Sequence, residues 1–94
     1  MASKIHEMGR GPHGGVNYWF HCPGCANAHP VEVPRWSWNG SLERPTFTPS
    51  LLCNKDHPAS RCHSFITDGM IHFLSDCWHP LAGQTVEIPD WDKL

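Results

Sequence analysis

Charge is scarce in this sequence: Lys and Arg supply 7 of 94 residues and Asp and Glu 9, for a formal net charge of −2. No cluster of basic residues occurs, so the electrostatic footprint of a nucleic-acid binder is missing and nucleic acid is not an expected partner. Long apolar runs are missing too. Nothing approaches the roughly 20 residues that span a bilayer, so no membrane association is expected. Met1 to Met8 lack the apolar core of a secretory signal, which makes the cytoplasm the expected compartment. Thiols stay reduced there, and an odd number of cysteines cannot pair completely among themselves. Internal repeats and low-complexity tracts are also absent.

What the chain does have is metal-binding chemistry. It carries 5 cysteines and 8 histidines alongside 9 prolines and 8 glycines, and 5 tryptophans and 4 phenylalanines offer apolar area to bury. A chain of this length is one domain, and domains this small commonly rely on a metal or disulfide staple. With reduced thiols, a metal is the expected staple, and zinc the expected ion. The expected fold is a small, mainly-β domain of hairpins with a zinc-ribbon-like knuckle and one short helical turn. Residues 1–15, with Gly9, Gly11, Pro12, Gly14 and Gly15, read as irregular. Residues 16–89 read as a single zinc-binding β domain, and 90–94 as a short tail.

Asn17-Tyr18-Trp19-Phe20-His21 is rich in β-formers and leads straight into Cys22-Pro23-Gly24-Cys25. Pro30-Val31-Glu32-Val33 alternates as a short strand, closed by Pro34. Strand, tight CxxC turn, strand is the pattern of a zinc-ribbon hairpin. Asn39-Gly40 is a two-residue hairpin signal. The segment from Arg44 to Leu52 looks extended, and its prolines place it at a sheet edge or strand end. Asn54 to Ser60 forms a polar loop. The clearest hairpin joins Cys62-His63-Ser64-Phe65-Ile66-Thr67 to Met70-Ile71-His72-Phe73-Leu74 through Asp68-Gly69, pairing Thr67 with Met70 and His63 with Leu74. A helical turn is expected from Cys77 to Ala82, ended by Gly83, and Thr85-Val86-Glu87-Ile88 forms a last strand.

The C-x2-C pair lets one tight turn supply two metal ligands. A redox role for this pair would want a helix starting at the first cysteine, and the sequence that follows reads as strand instead. The second half of the site is assigned to Cys62 and His63, giving the set Cys22, Cys25, Cys62 and His63. Neighbouring residues in a regular strand face opposite ways, so that set requires a bulged strand start. Cys77, His79, His29 and Cys53 are the alternates. His6, His13, His21, His57 and His72 carry no assigned role.

A second constellation is His63, Asp76, Cys77 and His79. A carboxylate beside imidazoles orients a general base or completes an open metal site, and Ser50, Ser64 and Ser75 supply hydroxyls. The plainer alternative makes Asp76 the cap of the following turn, with the histidines behind the metal ligands. The candidate catalytic residues are His63, Asp76 and His79. The tryptophans are expected in the core and at its rim.

Four stretches carry a family resemblance: Phe20-His21-Cys22-Pro23-Gly24-Cys25, the run from Asn39 to Ser50, Arg61 to Gly69, and Phe73 to Gln84. They resemble a small phage and prophage family to which the label "ammonia monooxygenase" is often attached. That activity belongs to large membrane-embedded assemblies and is not expected here. More distantly, the chain is similar to the BubE proteins of bacterial ubiquitination-like operons, peptidases acting on ubiquitin-like modifiers. The shared features are the CPxC knuckle, the Arg-Pro-Thr…Pro-Ser stretch, and His63 opening a hairpin with Ile66, Gly69 and Ile71. Cys62 departs from the pattern, standing where the BubE hairpin has a serine. The resemblance implies a metal-stabilised fold in a bacterial cytoplasm and two functional expectations. One is a phage or prophage accessory protein with a structural zinc, binding a host or phage protein. The other is a peptidase-like hydrolase using His63, Asp76 and His79.

Overall fold

A computed structural model describes residues 3–54 and 56–93. Eight strands form two antiparallel sheets. The first sheet contains β1 (His6–Arg10), β2 (Val16–Cys22) and β3 (Asn27–Val33), in that order. The second runs β4 (Ser37–Trp38), β5 (Phe47–Cys53), β6 (Cys62–Thr67), β7 (Met70–Phe73) and β8 (Thr85–Glu87). This is the small all-β architecture the sequence predicts, including the knuckle: β2 and β3 pair from Val16↔Val33 to Cys22↔Asn27, with Pro23 to Ala26 forming the turn between them.

Alternation builds the core. Along β6 the residues Cys62, Ser64 and Ile66 face inward while His63, Phe65 and Thr67 face out. On β7, Ile71 and Phe73 face inward. Cys62, Ile66, Ile71 and Phe73 join Phe20, Cys22 and Val31 of the first sheet, and Ile5, Phe47, Leu51 and Ile88, in one buried cluster drawn from both sheets. Burying each large apolar side chain stabilises the fold by roughly 1.5–3 kcal/mol.

The Asp68-Gly69 turn follows its sequence signal closely. Both residues have positive φ (53° and 78°), as a type I′ turn requires. Thr67 pairs with Met70, and the Leu74 N–H donates to the His63 carbonyl at 2.9 Å.

Four local expectations are revised. Within residues 1–15, expected to be irregular, β1 pairs with β2 (His6↔Trp19, Glu7↔Tyr18), and Ile5 joins the core. Asn39-Gly40 makes no two-residue hairpin. The connection from β4 to β5 spans 39–46, and the Asn39 side chain braces it by accepting from the Ser41 and Thr46 N–H groups and donating to the Arg44 carbonyl. The proline-bearing strand β5 lies between β4 and β6, although β4 covers only Phe47 and Thr48. Pro49 is accommodated where Thr48, Pro49 and Ser50 stand opposite Phe65 alone, a bulge that needs no regular ladder bond. Residues 77–82 form successive turns rather than a helical turn, although Gly83 does adopt the positive φ (81°) of a chain stop. In the tail, Trp91 stacks on His21 with ring centroids 4.1 Å apart, and its N–H donates to the Ser3 carbonyl.

Glu32 holds the β1–β2 loop. Its buried carboxylate accepts the N–H groups of Gly15 (2.9 Å) and His13 (3.0 Å). A Cβ at Gly11 would collide with that side chain and displace the carboxylate from its donors. Burial alone would raise the Glu32 pKa, but the Gly15 and His13 donors hold it below the usual carboxylate range. A carboxyl whose pKa is depressed by folding contributes its stability above its unfolded pKa and loses it as pH falls through the folded one. The Tm gap between wild type and Glu32→Gln should therefore be widest near neutrality and narrow as pH drops from about 6 to about 3. Thermal melts across that range check this; a constant gap would contradict it.

Candidate metal centre and candidate active site

The CPGC turn places Cys22 at the end of β2 and Cys25 in the turn, where the Cys25 N–H donates to Cys22 Sγ at 3.4 Å. Such N–H···S contacts stabilise a thiolate. His29, two residues into β3 from Asn27, points to the same side; it pairs across the hairpin with Phe20 and meets that ring edge-on. Cys62 enters from the second sheet, its Sγ 3.8 Å from that of Cys22. The donor atoms of Cys22, Cys25, His29 and Cys62 all lie within 4.8 Å of one another and can hold a metal ion.

Two further features fit a metal there. His29 Nε2 is buried without a hydrogen-bond partner, an uncommon state for a ring nitrogen in a protein interior. The charges are also crowded. Hydrogen bonding with Cys62, and then the nearby His29 and the Cys25 N–H, pulls the Cys22 thiol down to about 4 despite burial, while Cys22, together with burial, pushes Cys62 up. Burial works to lower His29, but Cys22, Cys53 and Cys25 outweigh it and raise the imidazole to about 11. Thiols and an imidazole gathered in one buried space suit a divalent cation, whose binding displaces protons from its ligands.

Placement sorts the candidate ligands. Cys22, Cys25 and Cys62 come together, and His29 provides the imidazole. His63 lies on the opposite face of β6, because no bulge breaks the alternation between Cys62 and His63. Cys53 sits across from Cys62 in the ladder and beside His29, outside the four-residue group. Cys77 and His79 form a second group with Cys62. The His79 ring is buried edge-on against Phe73 (4.4 Å between centroids), with Nε2 3.7 Å from Cys62 Sγ. It also fills the space over the knuckle: a Cβ on Gly24 would lie 2.2 Å from that ring. Glycine at that position lets the two sheets meet.

The outer face of the second sheet holds a different constellation. Leu52 pairs with His63, so Ser50, two residues earlier on β5, lies diagonally across from His63 on one face. Ser50 Oγ is 3.1 Å from His63 Nε2, and His63 Nδ1 is 3.3 Å from Asp76 Oδ2. Asp76 arrives from the turn after β7, which folds back along the start of β6 through the Trp78 N–H to Arg61 carbonyl bond (2.9 Å). With Nδ1 protonated, His63 donates to Asp76 and its Nε2 accepts the Ser50 hydroxyl proton, the arrangement that activates a serine. Of the candidate catalytic residues, His63 and Asp76 meet, while His79 lies across the sheet from them. Ser64 is buried in the core and Ser75 is exposed. Ser50 closes the Arg-Pro-Thr…Pro-Ser stretch that carries part of the family resemblance, but nothing in the sequence pairs it with His63, since their proximity depends on the β5–β6 register.

The fold and its clusters define a small all-β domain with a thiol–imidazole cluster on one side of a sheet and a hydroxyl–imidazole–carboxylate line on the other. Residues 4–74 match the family model described as "Bacterial ubiquitination-like system serine protease (BubE)", and the chain belongs to that family. No curated protein and no solved structure matches the chain.

Protein prepared under reducing conditions should carry about one metal equivalent, as a closed four-ligand site holds one ion. Cys22→Ser and His29→Ala should lose it, and with it the cooperative melt, whereas His63→Ala should keep both. Native mass spectrometry with elemental analysis measures this. Metal retained in His29→Ala but lost in His63→Ala would reverse the assignment.

Proposed function

We propose that this chain is a serine-type peptidase in which Ser50 is the nucleophile, His63 the general base and Asp76 the group that orients His63. The observation that carries this reading is the continuous line Ser50–His63–Asp76 on the open face of the second sheet, in a chain of a family described as a serine protease. In acylation, Ser50 Oγ attacks the substrate carbonyl carbon while its proton passes to His63 Nε2. His63 then gives that proton to the leaving amine as the carbon–nitrogen bond breaks. Water, deprotonated by His63, cleaves the resulting ester and frees Ser50. Asp76 accepts from Nδ1 throughout and stabilises the imidazolium. The proposed substrate is the amide joining or terminating a ubiquitin-like modifier, a reading supported by the family's description as the serine protease of a bacterial ubiquitination-like system. An open sheet face suits an extended peptide.

The ion held by Cys22, Cys25, His29 and Cys62 is proposed to be zinc. Three thiolates and an imidazole are a closed zinc set, and zinc–sulfur bonds of about 2.3 Å in a tetrahedron place sulfurs about 3.8 Å apart, the Cys22–Cys62 separation. Its role is to cross-link the two sheets; it takes no part in the reaction.

A second reading, a phage or prophage accessory protein that binds a host or phage protein without turnover, draws on the exposed Leu52, Phe65, Met70 and Trp78. The two readings separate on one measurement. Under the first, a fluorophosphonate probe should modify Ser50, located by peptide mass spectrometry. His63→Ala should slow labelling about 100-fold or more, and Asp76→Asn by a similar or larger factor, with metal content and Tm retained in both. Absence of Ser50 labelling in folded, metal-loaded protein would favour the accessory reading.

A further inference from the structure

We propose that Cys77 is a positioning residue for this active site, acting through the main chain of His63; the inference rests on the serine-peptidase reading. The Cys77 thiol makes two hydrogen bonds to a single residue. Its Sγ accepts the His63 N–H at 3.2 Å and donates to the His63 carbonyl at 3.1 Å. Cys77 directly follows Asp76 in the chain and is buried.

The ladder explains why the thiol is needed there. Pairing of β6 with β7 ends at Ser64↔Phe73, and the Leu74 N–H still reaches the His63 carbonyl at 2.9 Å. Beyond that point the chain turns, with the Cys77 N–H bonded to the Leu74 carbonyl at 3.2 Å. The side chain of Cys77 therefore takes the place of the next strand residue and satisfies the His63 peptide groups from the inner side. Because Cys77 is bonded covalently to Asp76 on one side and by hydrogen bonds to His63 on the other, the carboxylate is held within 3.3 Å of Nδ1. Asp76 is itself 42 % exposed and has no comparable anchor of its own in its side-chain contacts with the described residues.

The same thiol stands in a group with Cys62 and His79 that could hold a metal. That role competes with the proposed one, since a ligating thiolate has no proton to donate to the His63 carbonyl. Cys62 is also already one of four donors in the complete cluster.

The test uses the metal-loaded protein and the rate of fluorophosphonate labelling at Ser50. Cys77→Ala should slow labelling about 100-fold, the scale expected when a reacting group is misplaced by about 1 Å. Cys77→Ser, whose hydroxyl can both donate and accept, should restore the rate to within about tenfold of wild type. The loss should appear in the limiting rate of modification and leave the concentration dependence for the probe unchanged. In an Asp76→Ala background the Cys77→Ala step should cost little more, because the two residues act as a unit. Metal content should stay at the wild-type value throughout. Should Cys77→Ala fold poorly, Cys77→Val fills a similar volume without the hydrogen bonds and must show the same slowing. Wild-type labelling with no effect of Cys77→Ala or Cys77→Val overturns this inference alone. Metal lost from Cys77→Ser also overturns it, by making the thiol a ligand. Failure of wild type to label at Ser50 overturns the peptidase reading and this inference together.

Discussion

Two neighbouring residues on one strand must point to opposite faces of a sheet, and in this protein those residues are Cys62 and His63. The alternation of β6 sends Cys62 inward to Cys22 and His63 outward to Ser50. One strand therefore carries both a thiol of the thiol–imidazole cluster and the imidazole of the outer constellation. Whatever fixes Cys62 also fixes the backbone from which His63 projects. The thiol–imidazole cluster and the hydroxyl–imidazole–carboxylate line are back to back, separated by one strand thickness.

A metal held by the thiol–imidazole cluster would join the two sheets of a chain only 94 residues long. A chain of this size leaves a large part of its surface exposed, so burial alone gives a thin margin over conformational entropy. The cluster joins residues far apart in sequence, Cys22 and Cys62 being 40 residues apart. Closing so long a loop stabilises most when the donors are already positioned in the folded state. Gly24 and His79 show how tightly the sheets meet at that point: the ring occupies the volume a larger side chain on the knuckle would need.

Legibility in the sequence followed the range of the interaction concerned. The CPGC turn and the Asp68-Gly69 hairpin were readable because their geometry depends on four or so consecutive residues and, at Asp68-Gly69, on glycine at positive φ. Asn39-Gly40 offered the same kind of signal but did not form a two-residue turn. There the Asn39 side chain found its partners in Ser41, Arg44 and Thr46 and stabilised a wider loop. β1 was hidden because its residues are exposed on both faces and show no alternation to detect. The run from Cys77 to Ala82 gave way to turns in which side-chain and main-chain contacts to β6 replace helical bonds.

The sequence by itself determined the β class, the reduced-thiol chemistry and the two-cysteine knuckle, because composition and short-range turn geometry suffice for those. It also narrowed the second half of the cluster to a few residues, with Cys62 among them. Only the tertiary structure decided that His29 rather than His63 stands with the thiols, and that Ser50 rather than Ser64 or Ser75 meets His63. Those outcomes depend on the pairing of β5 with β6, the bulge at Pro49 and the face each residue takes. Strand register is a property of two segments together, and neither segment encodes it alone.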